Sequence, residues 1–434
     1  MSKAVINEKP IEFRQIAKKE PKWFYNIRKN GWGRYNETGL PERVIHLWKY
    51  TDPKNFVLAN PTDLIDYSQA IDWIPNSGQI SLKPEFAGFS FNRSDAKTLS
   101  IIDPILTEDG VIFESLNSAA IKYENIVGNY LGKLIGSDFG KFESLNLALW
   151  NTGLFLYVPD NVVIDRPIRL QRHPVSPGTY HRLLAIIGNN SEVTIIDDYS
   201  GECRDAESNS NSVIEIFAGQ SSNIKYVNSQ RQDNSCKSFV TQRVLLGKDA
   251  HAYSVFIGLG SSLSKVNAGS ILNGRGAESH LYGMVFGNGN QHTDYHTEHI
   301  HKASDTYSNI DFKIALKDKA NSAYTGIIRI EEDASNCQAY QENRNLLLND
   351  GPRAESIPEL EILNEEVQCS HGATVGQIDP EMLFYLKSRG LNHNEAVKAI
   401  INGFVEPTMQ QLPDDLKAIV QSSVDTKLLG KAYE

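Results

Sequence analysis

From about Leu154 onward, apolar and polar residues alternate in short runs, each ended by a cluster of Gly, Asn, Asp or Ser. Period-two alternation sends successive side chains to opposite faces and predicts β-strands. A polar turn, a small residue and then a strand recur at Asn190-Ser191-Glu192-Val193, Ser221-Ser222-Asn223-Ile224, Asp249-Ala250-His251-Ala252 and Gly276-Ala277-Glu278-Ser279. The small residues Ser191, Ser222, Ala250 and Ala277 lie 31, 28 and 27 positions apart, and related turns follow at Lys319-Ala320-Asn321 and Asp333-Ala334-Ser335. A unit of that size cannot bury its own apolar face and stacks on its neighbours, which predicts a β-solenoid. A β-sandwich would also give short strands at regular intervals. More than 200 residues of strand without a domain break favour the solenoid.

The two ends read differently. Within the first hundred residues, Trp23, Phe24 and Ile27 fall at helical spacing, so the aromatic and basic stretch from Pro21 to Tyr35 predicts an amphipathic helix more readily than a base-stacking surface. Leu40-Pro41, Asp52-Pro53 and Asn60-Pro61 then break the chain into short pieces. After the strands, Asp379-Pro380 starts a helix carrying Met382, Leu383, Tyr385 and Leu386, which Gly390 ends. Asn392 with Glu395 predicts a capping box before Ala396, Val397, Ile400, Ile401 and Phe404, and a third helix begins near Pro413. The expected organisation is a mixed helical region over residues 1–100, a β-solenoid over 101–375 and a helical domain over 376–434.

Composition narrows the class. Forty-three basic against fifty-three acidic residues give a net charge of -10, which opposes attraction to nucleic acid or anionic lipid. No apolar h-region opens the chain and no run of about 18 apolar residues occurs, so neither export nor membrane spanning is expected. Cys203, Cys236, Cys337 and Cys369 lack CxxC spacing, which argues against a disulfide framework or a compact zinc module and predicts that at least three of them are scattered buried thiols in a reducing cytoplasm.

Several motifs can be tested against chemistry. Gly136-Ser137-Asp138-Phe139-Gly140-Lys141 has one residue too few between its glycines for a phosphate loop, and Phe142 stands where the magnesium-binding hydroxyl belongs. No nucleophile–base motif is evident, so no intrinsic ATPase or hydrolase activity is expected. The run from Gln291 to His301 holds four histidines. On a strand, His299 and His301 share one face and His292, His296 and Glu298 the other, an arrangement open to metal binding or to a plain polar face. Cys369 and His371 likewise share one strand face.

The stretches Glu342-Asn343-Arg344-Asn345-Leu346-Leu347-Leu348, Cys369-Ser370-His371-Gly372-Ala373-Thr374-Val375-Gly376 and Phe384-Tyr385-Leu386-Lys387-Ser388-Arg389-Gly390 resemble the SufB/SufD family of the SUF iron–sulfur cluster assembly system, and SufD more than SufB. The likeness is close over about residues 280–405 and continues upstream. It implies a right-handed parallel β-helix flanked by N- and C-terminal helical domains, acting as a non-catalytic cytoplasmic scaffold. It implies pairing through the β-helix with a SufB-like subunit or a second copy, and binding of a SufC-like ABC ATPase by the C-terminal helices. An iron–sulfur cluster would form transiently at the subunit interface. The resemblance matches His371 to an interface histidine implicated in cluster assembly and His301 to a second family histidine. Cys369 is either a further ligand or inward packing. Where SufB carries its cluster-receiving cysteine, this chain has Asn343, which cannot supply a thiolate. A polysaccharide-processing β-helix enzyme shares the solenoid but needs clustered carboxylates that this sequence does not display.

Overall fold

The computed structural model describes residues 20–44, 46–57, 82–93, 98–150, 152–173, 178–202 and 209–429. The start of the chain, Asn60-Pro61 and Cys203 lie outside them.

Helix α1 (Lys22–Glu37) is followed by β1 (Gly88–Arg93), β2 (Leu99–Ile102), α2 (Pro104–Glu108), β3 (Ile112–Ser115), α3 (Leu116–Lys122), α4 (Glu124–Tyr130) and α5 (Lys141–Leu149). Sixteen strands then alternate between two sheets: β4 (Thr152–Val158), β5 (Ile168–His173), β6 (Gly178–Ile187), β7 (Glu192–Tyr199), β8 (Asn209–Ala218), β9 (Asn223–Gln230), β10 (Lys237–Leu246) and β11 (His251–Gly258) come first. They continue with β12 (Leu263–Leu272), β13 (Glu278–Gly287), β14 (His292–His301), β15 (Tyr307–Leu316), β16 (Asn321–Ile330), β17 (Cys337–Leu347), β18 (Arg353–Ile362) and β19 (Val367–Gln377). From β5 the odd-numbered strands form one parallel ladder, and from β4 the even-numbered strands form the other. The result is a parallel β-solenoid of about seven turns.

The recurring turn works by backbone conformation. Asn190, Ser221, Asp249, Gly276, Asp305 and Asn336 all have φ between 52° and 73°. Short polar residues and glycine tolerate that left-handed region best. The residue after each, from Ser191, Ser222, Ala250 and Ala277 to Thr306 and Cys337, is buried at the corner. The turn at Lys319-Ala320-Asn321 belongs instead to the opposite corner, with Asp318, Gly289 and Ser261 as its positive-φ residues. Each coil has two polar corners, and their sequences are alike because both reverse the chain.

The inner faces of both sheets make one continuous apolar core from Leu154 to Ala339. Outside, α1, α3 and α5 cover the first even-numbered strands through Phe24, Trp32, Leu116 and Leu149 against Phe155, Leu184 and Phe217. The basic and aromatic residues of α1 are thus occupied within the chain: Arg28 is buried, lies 4.0 Å over the Trp150 ring and donates to Ala148 O and Trp150 O. Lys141, the would-be phosphate-loop lysine, donates to Tyr35 O and Thr38 O at the end of α1.

The predicted helix boundaries recur in α6 (Pro380–Ser388), α7 (His393–Met409) and α8 (Asp414–Leu429), including Asp379 capping Glu381 N and the Asn392–Glu395 box. α7 and α8 pack Ile401, Val405, Leu416 and Val420 onto Val227, Val255, Ile257 and Met284 of the odd-numbered sheet. α6 buries none of its residues and exposes Met382, Phe384 and Tyr385. Among the described residues no helix is long and apolar enough to cross a membrane.

Candidate functional site: the uncovered last coil

The two ends of the solenoid are finished differently. At the N-terminal end, antiparallel β2 and β3 close the two ladders. At the other end β18 and β19 are the outermost strands, and no described element pairs with their outer edges. Ile362, Leu363 and Val375 are exposed along this rim, at 38%, 51% and 49%.

On β17 the odd-numbered residues Cys337 through Asn345 are buried and the even-numbered ones face outward. β19 runs parallel with Val367 beside Cys337, Cys369 beside Ala339, His371 beside Gln341 and Ala373 beside Asn343. Aligned residues of a parallel pair share a face. Cys369 and His371 therefore both belong to the inner layer, but of a coil on which no described element stacks. Val367 and Cys369 still pack against the core. His371 is exposed.

The Cys369 thiol is pushed up by burial, and by the neighbouring Cys337 thiol one coil below. Cys337 is itself buried, with Sγ 3.1 Å from Thr306 Oγ1. Both are free thiols, whereas Cys236 is disulfide-bonded, which corrects the expectation of scattered thiols for that residue.

His301 is placed elsewhere. Its register column runs to Ile330 and then Ile362, two strand spacings below the open rim, so about 10 Å separates it from the last coil. The ring is buried, with Nδ1 2.7 Å from Thr306 Oγ1 and Nε2 2.8 Å from Ser308 Oγ. Burial lowers its pKa to about 4, so the ring is neutral. The rest of the histidine run divides as strand alternation predicts. His299 points inward, with Nε2 3.2 Å from Ser279 Oγ, and burial drives its pKa well down. His292 and His296 face outward, beneath residues 46–56, with His292 Nε2 3.3 Å from Thr51 Oγ1 and His296 Nε2 3.2 Å from Asp294 Oδ1. Asp294 also accepts from Thr51 and from the buried Lys265, which holds its carboxyl far below the carboxylate range against the opposing effect of burial. Among the described residues, no three His, Cys, Asp or Glu side chains gather to hold a metal ion.

Sequence reasoning missed the floor of the open coil. Gln341, Asn343 and Asn345 form a row of buried amides on β17. Asn343 Nδ2 donates to Phe312 O at 3.4 Å, and Asn345 Nδ2 donates to Asn343 Oδ1 at 2.7 Å and to Thr374 O at 3.1 Å. The acceptors Gln341 Oε1 and Asn345 Oδ1 have no donor. The signal was present as three amides at period two in a strand whose counterparts on earlier coils are mostly apolar.

A family model described as "SUF system FeS cluster assembly, SufBD core domain" matches residues 170–404, and one described as "SufBD protein N-terminal region" matches residues 95–170. Curated relatives include an "iron-sulfur cluster assembly SufBD family protein" of Staphylococcus saprophyticus, 26% identical over 405 residues, covering 91% of this chain and 87% of that protein. Proteins of the same description from Staphylococcus epidermidis and Staphylococcus aureus are each 29% identical over 329 residues, covering 75% of this chain and 71% of theirs.

Proposed function

This chain belongs to the SufBD family of iron–sulfur cluster assembly proteins, and from that premise we propose that it is a SufD-like scaffold subunit whose uncovered last coil is completed by another subunit. The observation that carries the reading is His371 beside Cys369 on the inner layer of an end coil that has no cover. Two such ligands do not complete an iron site, and thiolate and imidazole both suit iron, so the remaining ligands come from the covering chain. Asn343 in place of a thiol favours the SufD-like role and makes a SufB-like subunit the source of the thiolates. The cluster is the cargo of this site, held for transfer.

The ATPase belongs to a SufC-like partner, docked on the exposed face of α6. Phe384 at 74% exposure and Tyr385 at 54% are large side chains left open to solvent, which supports that position. The absence of a long apolar helix among the described residues agrees with work in the cytoplasm.

The test is co-expression with the neighbouring genes, followed by mass, iron and sulfide analysis of the purified complex, with and without His371→Ala. The expected result is a complex of normal mass with less than half the iron and sulfide. A His371→Ala complex with a full complement of cluster rejects the ligand role. A chain that pairs only with itself makes the second copy, and not a SufB-like subunit, the covering partner.

A further inference from the structure

Gln341 sits in a column whose earlier members on β13 and β15 are Leu281 and Ile310, and whose last member is His371. The same column carries Ser254 on β11, is apolar for two coils and turns polar again one coil before its end. The Gln341 amide crosses the interior and lies over Gly326 of β16, where Nε2 donates to Gly326 O at 3.3 Å. Gly326 makes the space: a Cβ there would stand 2.6 Å from Cδ and 2.7 Å from Oε1 of Gln341. The amide is therefore oriented by its own N–H, and Oε1 is a buried acceptor without a donor, in a residue only 3% exposed. An unpaired buried carbonyl costs about 1–3 kcal/mol.

Building on the ligand role given above to His371, we propose that Gln341 is the positioning residue for that imidazole. When another subunit covers the last coil, the ring folds over the inner layer and one ring N–H donates to Gln341 Oε1. The other ring nitrogen then carries no proton and is presented to the iron. A partner bonded to the far nitrogen is how metal-binding imidazoles are fixed in tautomer and direction. The inner face of β18 across from the ring carries Ala354, Ser356, Pro358, Leu360 and Ile362, none of them titratable, so the amide row, Cys369 and the Ser356 hydroxyl are the polar groups of the inner layer there.

The experiment uses the full co-expressed complex with Gln341→Glu and Gln341→Leu, beside His371→Ala. Deuterium exchange at the imidazole C2 position of His371, read by peptide mass spectrometry across pH, reports the titration midpoint of that ring. With a carboxylate at position 341, the midpoint should rise by about one unit or more, because an anion accepting the N–H favours the imidazolium. Gln341→Leu should lose tenfold or more of the iron affinity, which Gln341→Glu restores above its raised midpoint. An unmoved His371 midpoint in Gln341→Glu overturns the proposal, and this readout survives even if the leucine variant folds poorly. Full iron in Gln341→Leu alongside iron loss in His371→Ala overturns the positioning role alone. Full iron in His371→Ala overturns the ligand reading and this inference with it.

Discussion

His371 was the first candidate in the sequence and His301 the second, and the fold gives them opposite characters. His301 has both ring nitrogens engaged by hydroxyls inside the core and a pKa near 4. An unfolded histidine titrates near 6.5, so below that pH the unfolded chain binds a proton that the folded chain refuses. The stability this neutral ring contributes is complete above about pH 6.5 and is lost as pH falls toward 4, with a magnitude of about 3 kcal/mol. Replacing His301 by Leu should remove that part of the acid sensitivity, seen as a smaller change in urea midpoint between pH 7 and pH 4.5 than the unaltered chain shows. The same substitution leaves the Ser308 hydroxyl unpaired, while Thr306 keeps Ala303 O and Cys337 Sγ, so at pH 7 it should cost about 1–3 kcal/mol. An unchanged acid response would place the ring in solvent. Nothing in the spelling of residues 292–301 distinguishes an inward from an outward histidine, because both faces of β14 are covered, one by the core and the other by residues 46–56.

At the scale of elements, alternation and turn chemistry were legible and depth was not. The period-two pattern correctly put Cys369 and His371 on one face, and the Asn392–Glu395 box correctly started α7. It could not say that β19 is exposed, since Val367, Val375 and the apolar residues of β18 read like those of any buried strand. Close packing inside the coils is visible only in three dimensions. Gly283 lies against the face of the Phe312 ring, so Gly283→Ala should destabilise the chain by about 1–3 kcal/mol in chemical unfolding. Gly372→Ala, with no atom near its added carbon, should leave stability within about 0.5 kcal/mol. Equal effects at the two sites would contradict the packing described. The C-terminal helices also divide in role. α7 and α8 cover apolar strand residues, so removing them would expose the odd-numbered sheet, whereas α6 touches little. Phe384→Glu should therefore leave the thermal midpoint unchanged and abolish co-purification of the ATPase partner. Retained ATPase at normal stoichiometry would move the docking face elsewhere.

At the scale of the whole molecule, a solenoid has two ends, and each must either be capped or be joined to something, because a free strand edge is a template for pairing. This chain closes one end with antiparallel strands, and among the described residues nothing pairs along the other. The two bare strands are not equivalent. β18 contains Pro358, which has no N–H to offer any neighbour, and begins with Arg353. β19, from Val367 to Gln377, has no proline, lysine or arginine, the residues that natural edges use to refuse partners. Pairing is therefore expected to run along β19, with Val375 and Ile362 providing apolar contact at the rim. A lysine at position 375 lies on the inner layer, where a covering chain would have to bury its ammonium. Val375→Lys should keep the thermal midpoint of the isolated chain, since the residue is half exposed there, and should weaken subunit association at least tenfold. Sedimentation of the co-expressed complex measures this directly, and Arg344→Ala on the outer face of β17 serves as the control. Unaltered association in Val375→Lys would mean that the last coil is not where the subunits meet, and the shared site at His371 would lose its second half.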